Sequence, residues 1–172
     1  MASQTPKIRR GKIVFLTGMS GTGKSTILAK LSDKGYKVVD TDYDDWSIYG
    51  KDPKWGMGWI WDEERMKSLL GEHIQGILFI SGTVSNQGEF YPYFDAVVLL
   101  SAPLNVMRVR IENRSTNDYG KTDEEWNEIV YYKETVEPLL RDGADFEIDT
   151  RKPLNQTIEE LENIASSSLK NL

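Results

Sequence analysis

Apolar residues in this chain fall into short unbroken runs separated by stretches of helical spacing, and not into the strict alternation of a half-exposed sheet. Ile13-Val14-Phe15-Leu16 is the first run, within residues 12–17, and it leads through a glycine-rich stretch to residues 24–33, where Ile27, Leu28 and Leu31 share a helix face. Lys37-Val38-Val39 ends at Asp40, Ile77-Leu78-Phe79-Ile80 ends at Ser81-Gly82, residues 96–100 end at Ser101-Ala102-Pro103, and Phe146-Glu147-Ile148 forms a fifth short run. Between them, Met66, Leu69, Leu70 and Ile74 predict a helix that Asp62 could cap, and a further helix is predicted to end near Arg114. Trp126, Ile129, Val130, Val136 and Leu140 predict a helix kinked at Pro138, and Ile158, Leu161, Ile164 and Leu169 a closing one. Apolar strands each followed by a helix predict an α/β fold, a five-stranded parallel sheet covered on both faces. A ligand then belongs at the carboxyl ends of the strands, where Gly18, Asp40, Gly82 and Pro103 fall.

Length and composition narrow the class. The 172 residues are enough for one domain, with 39% hydrophobic and 28% charged residues as in an ordinary globular protein. Twenty-seven acidic residues against 21 basic ones give a net charge of −6, so no global basic field collects nucleic acid or an anionic membrane. The lack of cysteine excludes disulfides and thiolate chemistry, and one histidine, His73, cannot make a histidine-rich metal site. Lys7, Arg9, Arg10 and Lys12 precede the first run like the charged end of a signal peptide, but the run breaks at Thr17-Gly18, and a cytoplasmic protein is expected.

The glycine-rich stretch carries the chemistry. Gly18-Met19-Ser20-Gly21-Thr22-Gly23-Lys24-Ser25 satisfies G-x-x-x-x-G-K-[ST] at every fixed position, between a predicted strand and a predicted helix. In such a loop the backbone N–H groups from Ser20 to Thr26 can wrap phosphate, the helix N-terminus adds positive potential, Lys24 reaches the outer phosphates and Ser25 ligates Mg2+. ATP and Mg2+ are the expected cofactors.

With these residues in hand, the chain resembles the small P-loop kinases of the shikimate kinase, gluconate kinase and nucleoside monophosphate kinase group over nearly its whole length. The resemblance rests on the phosphate loop, on Val39-Asp40-Thr41-Asp42, on Glu64-Arg65, on the arginine-bearing stretch 108–121, and on Ile148-Asp149-Thr150-Arg151-Lys152-Pro153-Leu154. It implies a P-loop NTPase three-layer sandwich forming a single kinase domain over 1–172, with 1–11 flexible, an acceptor-covering segment at 43–61 and a lid at 114–122. It further implies that Asp40 holds Mg2+ through water, Asp42 orients or deprotonates the acceptor hydroxyl, Arg65 binds an acceptor anion, Arg114 clamps the transferring phosphate, and Arg151 and Pro153 pack on adenine. The chain departs from shikimate kinases in having Ser81-Gly82-Thr83-Val84-Ser85-Asn86-Gln87 in place of a glycine triplet, and from adenylate kinases in having a lone lid arginine.

Four of the five tryptophans, Trp46, Trp55, Trp59 and Trp61, lie in 43–61, where aromatic faces could stack on an acceptor ring or form a small satellite core. Gly82 and Asn86 offer space and an amide to a neutral polyhydroxyl compound or a base edge. Two readings follow. One is an ATP-dependent phosphotransferase acting on a small hydroxyl- or phosphate-bearing acceptor, monomeric or homodimeric. The other is a nucleotide-binding switch that hydrolyses ATP slowly and has no small acceptor.

Overall fold

A computed structural model of the chain describes residues 11–167. The expectation of flexibility over 1–11, Gly11 apart, and the place of Leu169 lie outside the described residues; Gly11 is buried, and a Cβ on it would meet the His73 ring at 2.6 Å.

The five predicted runs become strands β1 (Lys12–Thr17), β2 (Lys37–Asp40), β5 (Ile77–Ser81), β6 (Ala96–Ser101) and β7 (Phe146–Asp149), all parallel in the order β2-β5-β1-β6-β7. Alternate residues of β1 feed opposite faces. Val14 and Leu16 pack with α1 (Lys24–Asp33) and α6 (Leu154–Ser166) on one side. Ile13 and Phe15 pack with α2 (Glu63–Glu72) on the other, where α3 (Leu104–Asn113), α4 (Asp123–Thr135) and α5 (Glu137–Gly143) extend the layer around Leu99. This is the three-layer sandwich, and its loops at the carboxyl ends of the strands converge on the end of the central strand β1.

Two predicted helices differ in extent. The α2 helix begins as expected, with the Asp62 carboxylate accepting from Arg65 N at 3.2 Å, but ends before Ile74, which is exposed. The helix through Trp126 and Leu140 is two helices meeting at Val136, because Pro138 lacks an N–H and is accommodated in the first turn of α5.

The segment after β2 holds an element the periodicity did not predict. Strands β3 (Ser47–Asp52) and β4 (Gly56–Trp61) form an antiparallel hairpin, separate from the main sheet. Its turn is set by the Asp52 carboxylate, which accepts from Lys54 N and Trp55 N at 2.8 and 2.7 Å, and by Gly56 at φ +80°. Trp61 enters the core edge-on to Phe15, with ring centroids 5.2 Å apart. Asn86, buried after β5, clamps the root of the hairpin: its Oδ1 accepts from Trp61 N at 2.8 Å and its Nδ2 donates to Trp61 O at 3.2 Å.

That clamp generates a prediction. Asn86→Ala leaves both backbone groups of Trp61 without this partner in a buried setting, and should destabilise the protein by about 2–4 kcal/mol. Urea unfolding followed through tryptophan emission checks this; an unchanged midpoint would show that the hairpin root is held by its ring packing alone.

Candidate active site

The phosphate loop forms because β1 is the central strand. Gly18 leaves it directly beside β6, where a Cβ would stand 2.3 Å from Leu100 O. Gly23, at φ +98°, turns the chain into α1. Lys24 folds back over the loop, donating to Gly18 O at 2.5 Å and Met19 O at 3.0 Å. Gly18 and Thr22 are buried behind the loop, and the Thr22 hydroxyl donates to Met19 O at 2.8 Å. Ser20, Gly21, Gly23, Lys24, Ser25 and Thr26 line the cavity in front of it.

At the end of β2 the two aspartates take different positions. Ser25 Oγ donates to Asp40 Oδ2 at 3.1 Å, while Asp40 Oδ1 accepts from Asp42 N, also at 3.1 Å. Asp40 thereby braces the chain that carries Asp42 to the cavity wall. Thr41, buried between them, points the other way and donates to Ser81 O at 2.8 Å. Gly82 is needed at this crossing, since a Cβ there would come within 2.0 Å of Thr41 Oγ1. Burial lowers the pKa of the Lys24 ammonium from its ordinary value, against the pull of Asp42 and Asp40, while the Arg114 charge lowers it further. Desolvation at the cavity wall raises the Asp42 carboxyl, Lys24 opposes the rise, and the Asp40 charge adds to it.

The opposite wall comes from α3 and the segment after it. Arg110 and Arg114, one turn apart, both line the cavity, and the four-residue spacing is the signal by which Arg110 could have been found. Arg110 donates to Thr150 Oγ1 at 2.9 Å and Thr150 O at 2.7 Å, tying the loop after β7 to the site. Arg114 donates to Ser20 Oγ at 3.3 Å, and its guanidinium is held by Asn117 O and Tyr119 O at 2.9 and 2.5 Å. The segment 114–122 is itself tied down. Gly120 N donates to Glu125, Tyr119 OH donates to Glu128 at 2.5 Å, and Thr122 and Glu125 form a capping box on α4. Arg151, Lys152, Leu154 and Thr157 also line the cavity, while Pro153, exposed at the start of α6, is not part of that lining, and Gln156 N donates to its carbonyl. The cavity, open to solvent on one side, has a volume of about 500 Å³.

Several candidate residues lie away from this cavity. Trp59, more than half exposed, meets its cross-strand partner Tyr49 edge to face at 5.6 Å on the hairpin. Arg65 stacks over Trp46 at 3.9 Å and donates to Asp44 O. The Asn86 amide is occupied on both sides by Trp61, and Gly82 serves the close approach of Thr41. Trp61 is fully buried in the core.

The oxygens of Ser25 and Asp40 are hard donors of the kind Mg2+ takes, a few from protein and the rest from phosphate and water. Among the described residues no three His, Cys, Asp or Glu side chains gather to hold a metal by themselves, and no helix is long and apolar enough to cross a membrane.

Comparison with known proteins follows this geometry. The profile of the AAA domain family matches residues 14–131. A nucleotide-binding protein of Agathobacter rectalis is 28% identical over 158 residues, which are 89% of this chain and 52% of that one, so the chain spans about half the length of this curated relative. The shikimate kinase of Acinetobacter baumannii, solved with shikimate, superposes with a TM-score of 0.64 at 20% identity, covering 94% of this chain and 97% of its own. A sugar kinase from Janibacter sp. gives 0.56 at 20%, covering 91% and 95%, and the shikimate kinase of Bacteroides thetaiotaomicron 0.59 at 17%, covering 91% and 99%. At these identities the structures show a shared fold, that of the small P-loop kinases.

The raised Asp42 carboxyl has a consequence for stability. Its charged form is disfavoured in the folded state, so its contribution is fully favourable below the ordinary value of 3.8 and is lost as pH rises through the higher folded value. Asp42→Asn should therefore match the wild type near pH 3.5 and be the more stable by under about 1 kcal/mol at pH 7, the gain being limited by solvent screening. Urea midpoints at the two pH values test this; an Asn variant less stable at pH 7 would show that the attraction to Lys24 outweighs desolvation.

Proposed function

The chain belongs to the AAA domain family, and from that premise we propose that it is an ATP-dependent phosphotransferase, moving the γ-phosphoryl group of ATP to a small hydroxyl- or phosphate-bearing metabolite, nucleotide or antibiotic. The observation that carries this reading is the convergence of Lys24, Asp42 and Arg114 on one cavity: a cation on the phosphate loop, a carboxylate across from it, and a guanidinium fixed by the following segment. The kinase names of the fold neighbours support a small acceptor.

Catalysis by such a set is positioning and charge neutralisation. Lys24 leaves the loop carbonyls to meet the outer phosphate oxygens. Arg114, already oriented by Asn117 O and Tyr119 O, meets the same charge from the other side without reorganising. Asp42 aligns the acceptor hydroxyl and takes its proton, a task that a raised carboxyl pKa favours. Ser25 and Asp40 would hold Mg2+, which when bound neutralises charge between phosphate groups. Arg110, Arg151 and Lys152 line the same cavity and would supply further positive charge to a bound nucleotide.

A second reading, a nucleotide-dependent switch, draws on one observation: the hairpin exposes Tyr49, Trp55, Met57 and Trp59, a surface that a protein partner could cover. ADP release separates the two. For a phosphotransferase it should be negligible with ATP and Mg2+ alone and rise with one member of a panel of nucleoside monophosphates, nucleosides, sugars, sugar acids and aminoglycosides. With that acceptor, Lys24→Ala should stay folded and lose roughly 100- to 1,000-fold in turnover. Asp42→Asn should lose about 100-fold or more while still binding ATP. Near-normal turnover in either variant would remove that residue from the mechanism, and slow ADP release indifferent to every acceptor would favour the switch.

A further inference from the structure

Two buried carbonyls hold Lys24 in its folded-back position, and each has a second donor, a threonine hydroxyl. Met19 O accepts from Lys24 at 3.0 Å and from Thr22 Oγ1 at 2.8 Å. Gly18 O accepts from Lys24 at 2.5 Å and from Thr83 Oγ1 at 2.8 Å. Thr22 belongs to the phosphate loop, whereas Thr83 comes from the loop after β5. Its hydroxyl stands at the end of a run of hydrogen bonds from the same loop. Val84 N donates to Gln87 Oε1 at 2.9 Å, which fixes the amide so that Gln87 Nε2 donates to Thr17 Oγ1 at 3.1 Å. Gly18 O can only accept, so the single Thr83 proton is used there, and in the 3.2 Å contact between the two threonine hydroxyls Thr17 Oγ1 is the donor.

We propose that Thr83 is a positioning residue for Lys24: it keeps the Gly18 carbonyl hydrogen-bonded when the ammonium departs, and so releases Lys24 to the phosphates of an incoming nucleotide. A buried carbonyl left without a donor is costly, so a Gly18 carbonyl that had only Lys24 would resist its departure. With Thr83 in place the carbonyl keeps one bond throughout, as Met19 O does through Thr22. Nucleotide binding then costs less, and the loop keeps its shape while the lysine moves. The inference rests on the nucleotide-binding part of the proposed function and needs no acceptor.

The test is nucleotide affinity in a double-mutant cycle, with a fluorescent ATP analogue and Mg2+ as the probe. Thr83→Val keeps the shape and removes the hydroxyl, and should weaken binding roughly two- to tenfold. Thr83→Ser should restore it. In a Lys24→Ala background the same Thr83→Val change should have no effect, because no ammonium remains to be released. A loss of equal size in both backgrounds, or none in the wild type, overturns the proposal. Acylation of Lys24 in the nucleotide-free protein, followed by mass spectrometry, gives a second reading that does not depend on residual binding by the alanine variant. Lys24 should label more slowly in Thr83→Val than in the wild type or Thr83→Ser, and equal rates overturn the proposal. If no acceptor is ever phosphorylated, the phosphotransferase reading fails while both of these results stand.

Discussion

The structure depends on the crowding of backbone where the central strand ends. Because β1 lies between β5 and β6, the chain leaving it at Gly18 must pass beside Leu100 O, where no Cβ fits, and beside Thr83, whose hydroxyl reaches both backbone polar groups of Gly18. A loop squeezed in this way has its first carbonyls, those of Gly18 and Met19, directed back onto protein donors. Lys24, Asp42 and Arg114 approach from three different elements, and their convergence follows from where that loop emerges.

The loop after β5 joins the phosphate loop to the hairpin. Thr83 grips the phosphate loop, Ser85 N donates to Trp59 O at 2.9 Å, and Asn86 holds Trp61 by both backbone groups. Four consecutive residues, Thr83 to Asn86, thus span the distance between Gly18 and the root of the hairpin. The electrostatics are in tension across the same space. Lys24 and Asp42 are each pushed toward their neutral forms by desolvation and toward their charged forms by one another. Such opposed effects are common where charge is to be handled during a reaction.

Sequence alone determined the parts that depend on local pattern. Unbroken apolar runs placed all five strands, because a strand buried on both faces has no polar side to show, and the spacing of fixed glycines, lysine and serine placed the phosphate loop. The hairpin escaped this reading. Its strands are broken by Gly50 and Gly58 and parted by the Asp52 turn with its Pro53, so periodicity carried no signal there. Asn86 was legible as a polar side chain near the strand ends, but what its amide would bond depended on Trp61, which is distant in sequence.

Only the tertiary structure decided which charged side chains share a cavity. Arg110 joins Arg114 because α3 presents one face to the phosphate loop, whereas Arg65 is drawn away to the Trp46 ring and Asp44 O. Asp40 and Asp42 could be seen to belong together, yet their division, one bracing Ser25 and one on the cavity wall, follows from the crossing of Thr41 over Gly82. Local sequence determines which residue types stand at the end of each strand. Which of their side chains meet depends on contacts between segments far apart along the chain, and these exist only once the sheet has closed around β1.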